Sequence, residues 1–374
     1  MGKSKLDDNN IQSAVISWLR LPLIVMIVYI HSYGLPPVDA SLPVIQSGVY
    51  EITRTVVSNM LCQSAVPCFF FISGFLFFYK VGEFSKDVYV GKLRKRFTTL
   101  LIPYLVWNQI ALFMWFFREV RSGLSFADVW HNYLEKGLLS GFWSMYYVGG
   151  ATRDWFGGET FLSGPADLPF WYLRDLIVVT LCSPVICFGV KKLGLSFVLL
   201  LALLFCSGVW QYPCPGLSTV ALFFYSFGAY FSIARVDFVE LSRRYFPFMA
   251  ATYFLLLLTL LFFPVTNKWL FSFFRMVGVF VVFGIAAWFI DRTSVRFPSV
   301  LADSSFFIYA VHYVFFFSIV DDFVGWLLPV SIDLMHSLQY LVSPLLRVSL
   351  YIAVFWLMKH FVPKLTALLT GSRG

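Results

Sequence analysis

Two side chains with chemical capacity, Arg20 and His31, stand inside one apolar stretch, VISWLRLPLIVMIVYIHSYG, from Val15 to Gly34. In a helix the eleven residues between them turn through about 1100°, within roughly 20° of three full turns, and advance about 16 Å. Both groups therefore point the same way at two depths. An Arg at the centre of a membrane helix costs about 2.5 to 3.5 kcal/mol on insertion scales, so it is kept where it faces a polar interior or a pathway. An imidazole ordinarily titrates near about 6.5, which lets His31 take the proton of an acceptor hydroxyl as it attacks an activated acyl group. The plain alternatives are an interfacial His that bonds a neighbouring helix and an Arg that snorkels to the inner surface. Arg20 otherwise suits an anion reaching in from the cytosol.

Further candidates are spread along the chain. His312, in SSFFIYAVHYVFF, is a second His in an apolar run and reads either as a buried structural group or as a catalytic one. Arg174 and Asp175 are adjacent, and either pair structurally or line the outer half of a cavity. Lys80, Lys86, Lys92, Arg94, Lys95 and Arg96 form a basic patch that suits a polyanionic headgroup, anionic lipid or topology marking alike. Asp154, Glu159 and Asp167 are the carboxylates that a sugar polymerase would use in a large outer loop. The sequence has no Ser-His-Asp ordering, no phosphate-binding glycine loop and no metal-ligand spacing, so the expected metal set is none.

The elements that must position these groups are membrane helices. Of 374 residues 59% are hydrophobic, 20% aromatic and only 13% charged, with a mean hydropathy of +0.77. That composition suits an all-α, polytopic bundle in lipid. Apolar runs predict about ten spans, at roughly 14–33, 56–79, 97–117, 169–190, 195–211, 216–233, 246–263, 269–290, 300–320 and 340–361. Residues 1–13 and 362–374 then form a cytosolic start and tail of one membrane-embedded domain over 1–374. Residues 118–168 form a long outer loop of short amphipathic helices, rich in Trp130, Trp143, Tyr146, Tyr147 and Trp155. The net charge of +8 comes from short basic clusters between apolar runs, the pattern of cytoplasmic loops rather than of a nucleic-acid surface. Both termini are expected in the cytosol. The first run is of spanning length with no cleavage pattern behind it, so it stays in the membrane. Cys62, Cys68, Cys182, Cys187, Cys206 and Cys214 read as small buried hydrophobes. The Ser73-Gly74 pair allows close approach of another helix. A transporter or flippase with an Arg20/His31 relay is the rival to an enzyme; it would carry paired acidic groups in its spans, which are scarce here.

Five stretches together resemble the acyltransferase 3 family of integral membrane O-acyltransferases. Arg20 and His31 match its Arg-x10-His; FFFISGF, 69–75, is similar to its Phe-rich Ser-Gly-Phe. RKRFTTLLIPYLVW, 94–107, resembles its basic loop running into Leu-Ile-Pro-Tyr. SSFFIYAVHYVFF, 304–316, resembles its late Ile-Tyr-x-x-His, and FWYLRDL, 170–176, a Trp-Phe-Leu-Arg-Asp segment of bacterial members. The resemblance implies transfer of an acyl group, usually acetyl from cytosolic acetyl-CoA, to a hydroxyl of a cell-surface or lipid-linked glycan at the bacterial inner membrane. Acyl-CoA is then a co-substrate, with no permanently bound cofactor and no nucleic-acid partner. The resemblance also implies His31 and Arg20 as catalytic residues and Lys92, Arg94, Lys95, Arg96 and Ser73 on the donor side. Trp171, Arg174, Asp175, Tyr309 and His312 would line the acceptor cavity. The essential acidic residue that some members hold in a late span has no counterpart here, since Asp303 and Asp321 sit at span ends.

Overall fold

The computed structural model describes residues 8–32, 44–148, 162–208, 215–263, 268–293, 299–315, 317–328 and 332–372. Pro36, Pro37, Pro43, Asp154, Trp155, Glu159 and Cys214 lie outside them, as do Lys3, Lys5 and Arg296. Among the described residues the chain is a bundle of helices with one short hairpin, Tyr146–Val148 paired antiparallel with Leu162–Gly164.

Five helical stretches are long and apolar enough to cross a membrane: Ile11–His31, Val49–Phe78, Lys86–Arg121, Lys268–Arg292 and Asp333–Phe361. Two further pairs qualify if each is one bent span: Leu168–Leu181 with Ser183–Leu193 at 62°, and Thr219–Ile233 with Phe238–Arg244 at 100°. The remaining expected spans are shorter helices, Leu195–Ser207, Phe246–Phe262 and Ser299–Val311. The count is thus five to seven by length and composition, against about ten expected from apolar runs. Bends and breaks account for the difference. Pro184 opens the second limb of one bent pair, and Pro at the first turn of a helix suits a restart there. The apolar run at 300–320 is not one helix: the chain leaves Ser305–Val311 as turns at His312 to Val314 and resumes at Phe317–Leu327. Unwound backbone at membrane depth is tolerated where it is buried in protein or lines a cavity. Here Tyr351 satisfies the break by donating to the Phe315 carbonyl at 2.9 Å.

The centre of the bundle is a phenylalanine cluster. Phe71 meets Phe227, Phe231, Phe238 and Phe283 at ring separations of 5.0 to 5.5 Å. Helices Ala65–Phe78 and Thr219–Ile233 cross backbone to backbone: a Cβ on Gly74 would lie 2.0 Å from the Tyr225 carbonyl oxygen, and one on Gly228 would lie 1.9 Å from that of Phe71. Small residues let helices approach this closely in lipid, where the hydrophobic effect does not draw them together. The outside is equally apolar, with Phe113, Val185, Phe188, Leu200, Phe248 and Leu255 all exposed. A soluble protein does not carry so much exposed apolar surface, whereas a bilayer covers it.

Candidate active site

His31 ends the 24-residue helix Asp8–His31, which runs unbroken through Pro22. Its ring is half-buried, 5.1 Å from that of His312 and 5.8 Å from that of Tyr313. The first span and the late broken span therefore bring two imidazoles together, 281 residues apart in sequence. His312 is 0% exposed. Its Nδ1 lies 2.7 Å from the Tyr309 carbonyl oxygen, which can only accept, so Nδ1 carries the hydrogen and Nε2 the lone pair of the neutral ring. That Nε2 is buried and has no hydrogen-bond partner among the described residues. A buried acceptor left unmade costs about 1 to 3 kcal/mol, a cost commonly met at sites that a substrate completes.

The end of the first helix is held from the side. Ser32 donates to the Val28 carbonyl at 2.7 Å and receives Arg347 Nη1 at 3.2 Å, while Arg347 Nη2 pairs with Asp321. Arg347 is a buried cation of the last long helix, absent from the candidates above; its place inside an apolar run is the signal that could have found it. On the late broken span, Tyr309 donates to the Pro169 carbonyl at 2.6 Å and stacks on Phe170 at 5.2 Å, with planes 2° apart. Tyr172 meets the same ring edge-on at 5.9 Å. Asp167, just before this aromatic stack, is 0% exposed and neither carboxyl oxygen has a partner among the described residues. Burial pushes that carboxyl well above the usual carboxylate range.

Arg20 sits at the middle of the same helix, three turns from His31, exposed, and makes no ion pair among the described residues. The stripe between it and His31 is not open: Ile24 and Ile27 lie on it and are each 4% exposed. The shared direction follows from the helix, but neighbouring helices pack over the stretch between the two groups and separate them. Two residues before Arg20, the Trp18 ring lies 5.0 Å from that of Phe289.

The cations at 92–96 lie on helix Lys86–Arg96, capped by Ser85, which accepts from the Val88 N–H at 3.3 Å. Arg94 and Lys95 are exposed; Lys92 and Arg96, one turn apart, are half-buried, and Lys92 Nζ lies 5.3 Å from the Phe77 ring centroid. Ser73 is half-buried beside Gly74 at the helix crossing.

Arg174 and Asp175 form an internal pair. They are 2% and 1% exposed, with Nε and Nη2 each 3.0 Å from Asp175 Oδ1. Arg174 Nη1 donates to the Trp143 carbonyl at 2.5 Å and to Ser163 Oγ at 3.3 Å. The guanidinium thereby ties helix Trp171–Leu181 to both Ser140–Trp143 and the hairpin. Trp171, the first residue of that helix, is half-buried. Asp321 and Asp303 are likewise engaged, with Arg347 and with Lys359 at 3.0 Å. Arg275, within Lys268–Arg292, also escaped notice in the sequence; it lies 5.4 Å from the Phe205 ring centroid.

Comparison with known proteins agrees with this architecture. Residues 14–359 match the family model described as an acyltransferase domain. Over 377 residues the chain is 27% identical to the succinoglycan biosynthesis protein ExoH of Rhizobium meliloti (strain 1021), covering 96% of this chain and 92% of that protein. No solved structure matches. A helical membrane bundle whose sequence matches that domain over nearly its whole length belongs to the acyltransferase 3 family.

Proposed function

We propose that the protein transfers an acyl group, acetyl from acetyl-CoA on the cytosolic side, to a hydroxyl of a cell-surface or lipid-linked glycan. Membership of the acyltransferase family supports the reaction, and the name of the relative, a succinoglycan biosynthesis protein, supports a glycan as acceptor. The observation that carries the reading is the pair of imidazoles, 5.1 Å apart, at a break in the membrane helices. His31 acts as general base. It takes the acceptor hydroxyl's proton, the oxygen attacks the thioester carbonyl, and the C–S bond breaks as the tetrahedral intermediate collapses. The proton then passes from the imidazolium to the departing thiolate. His312, its tautomer fixed through Tyr309, keeps an unpartnered Nε2 beside the base for the substrate to complete.

Both termini lie in the cytosol, and the membrane is the bacterial inner membrane. The exposed cations Arg94 and Lys95, with Lys92, Arg96 and Arg20, hold the anionic part of acyl-CoA, which remains a co-substrate and not a resident cofactor. From Arg20 to His31 is roughly 16 Å along the helix axis, and because Ile24 and Ile27 close that stripe the donor's thioester arm reaches His31 by another side of the helix. Tyr309, Tyr172 and Trp171 form the aromatic wall of the acceptor side.

The test is mass spectrometry of surface glycans from cells that carry the gene, lack it, or carry His31→Ala. Acyl mass is expected only with the unaltered gene, while the variant is present in the membrane at normal abundance. Undiminished acylation in the His31→Ala cells would remove the proposal.

A further inference from the structure

We propose that Asp167 is a binding residue for the acceptor: its carboxyl engages a hydroxyl next to the one that His31 deprotonates, so the site prefers a vicinal diol, as a sugar ring presents, over an isolated alcohol. This rests on the acyl-transfer reading above and names the chemistry of its acceptor.

The position of Asp167 gives it no structural task. It precedes the short helical turn Leu168–Phe170, where an Asp usually accepts from the free N–H groups behind it, yet here its side chain makes no such bond. What holds this residue is its backbone: its N–H donates to Asn108 Oδ1 at 3.0 Å, and Asn108 Nδ2 donates to the Tyr104 carbonyl at 2.8 Å. Asn108 is itself fully buried, so the anchor is rigid. The carboxyl is left over, wholly buried, with both oxygens lacking a hydrogen-bond partner among the described residues.

Its surroundings point to a ligand. Two residues after it, the Pro169 carbonyl accepts from the Tyr309 hydroxyl at 2.6 Å, and the Asn108 that holds its N–H is itself anchored on the Tyr104 carbonyl. Tyr309 and Tyr313 flank the imidazoles: the Tyr313 ring is 5.8 Å from His31 and the Tyr309 ring 6.1 Å from His312. His312 Nε2 is the second orphaned polar atom of the same neighbourhood. Buried polar groups are almost always satisfied, so two unsatisfied ones beside the same pair of aromatic rings mark where an outside group supplies the missing bonds. A carboxyl that can hold two hydroxyls, beside aromatic faces, is the chemistry that recognises a saccharide, with a few polar groups fixing orientation in an otherwise apolar cleft.

The experiment uses the full-length protein in lipid vesicles, with acetyl-CoA as donor and either methyl hexopyranoside or cyclohexanol as acceptor. Asp167→Asn is expected to raise the KM for the glycoside about tenfold or more and to abolish its preference over cyclohexanol. The KM for acetyl-CoA, whose anionic part is held elsewhere, is expected to change little. Asp167→Asn protein with an unaltered glycoside KM and unaltered preference overturns the proposal. If Asp167→Asn does not accumulate, the unaltered protein is labelled with dicyclohexylcarbodiimide and Asp167 followed by mass spectrometry. Slower labelling in the presence of the glycoside supports the assignment, and labelling at the same rate overturns it. Absence of any acyl transfer by the unaltered protein marks instead the failure of the acyltransferase reading for this chain.

Discussion

Replacing Gly74 with Ala adds one methyl at the closest helix crossing in the bundle. That carbon would lie 2.0 Å from the Tyr225 carbonyl oxygen and 3.0 Å from the Tyr225 Cα. Both obstacles are backbone, so no side chain can swing aside. Restoring ordinary contact requires helices Ala65–Phe78 and Thr219–Ile233 to part by about 1.4 Å. The phenylalanine rings packed from Phe71 to Phe227, Phe231 and Phe238 across the same crossing separate with them. Overpacking of this kind costs about 1 to 3 kcal/mol, and the rigid partners place Gly74→Ala at the upper end. With roughly 2 to 4 °C lost per kcal/mol in large domains, the thermal midpoint of the detergent-purified protein should fall by about 6 to 12 °C. Gly91→Ala is the control: it is helical, and a Cβ there meets nothing within 4 Å. It should leave the midpoint unchanged or raise it slightly, since Gly inside a helix costs about 0.5 to 1 kcal/mol relative to Ala. Gly74→Ala protein that melts with the unaltered protein would refute the close-crossing argument.

Arg174→Ala strands Asp175 in a buried site and also releases Trp143 and Ser163; the expected loss is about 3 to 5 kcal/mol, read as a fall in thermal midpoint and in folded yield. Arg174→Met with Asp175→Leu should recover most of that loss, and a double variant as unstable as the sum of the singles would contradict the coupling. Arg94→Ala with Lys95→Ala removes two exposed cations from the proposed donor side. It should raise the KM for acetyl-CoA several-fold at low salt, converge on the unaltered protein as ionic strength rises, and leave kcat in place; a salt-independent or absent effect would assign these residues to topology alone.

Much of this molecule is legible in its sequence, and what is not has identifiable causes. Helical class and membrane embedding follow from composition, because nothing but lipid accommodates so many exposed apolar side chains. Span number does not: an apolar run says that a segment is buried in lipid or protein, not that it is straight. The bends at Cys182 and at Ala234 to Asp237, and the break at His312, fall inside or beside apolar runs whose composition alone does not distinguish a bent helix from a straight one. The shared direction of Arg20 and His31 follows from helical geometry alone, yet Ile24 and Ile27 on the same stripe look identical in sequence whether they face a cavity or a neighbouring helix. The approach of His31 to His312 is not legible in the sequence, since spacing within one helix cannot report a contact between two. Arg174 and Asp175 show the converse: adjacency hinted at pairing, but the tethers to Trp143 and Ser163 required the fold. Asp167 carried no signal beyond being one carboxylate among three, and its isolation became visible only through its burial.

The account stands or falls on base chemistry at His31. Purified protein in lipid vesicles, supplied with acetyl-CoA and a glycan acceptor and followed by release of free CoA thiol, should show kcat lowered at least about a hundredfold by His31→Ala. The KM for acetyl-CoA should change little, because the donor's anionic part is held elsewhere. Acceptor-dependent thiol release at the unaltered rate by correctly folded His31→Ala protein would contradict the account.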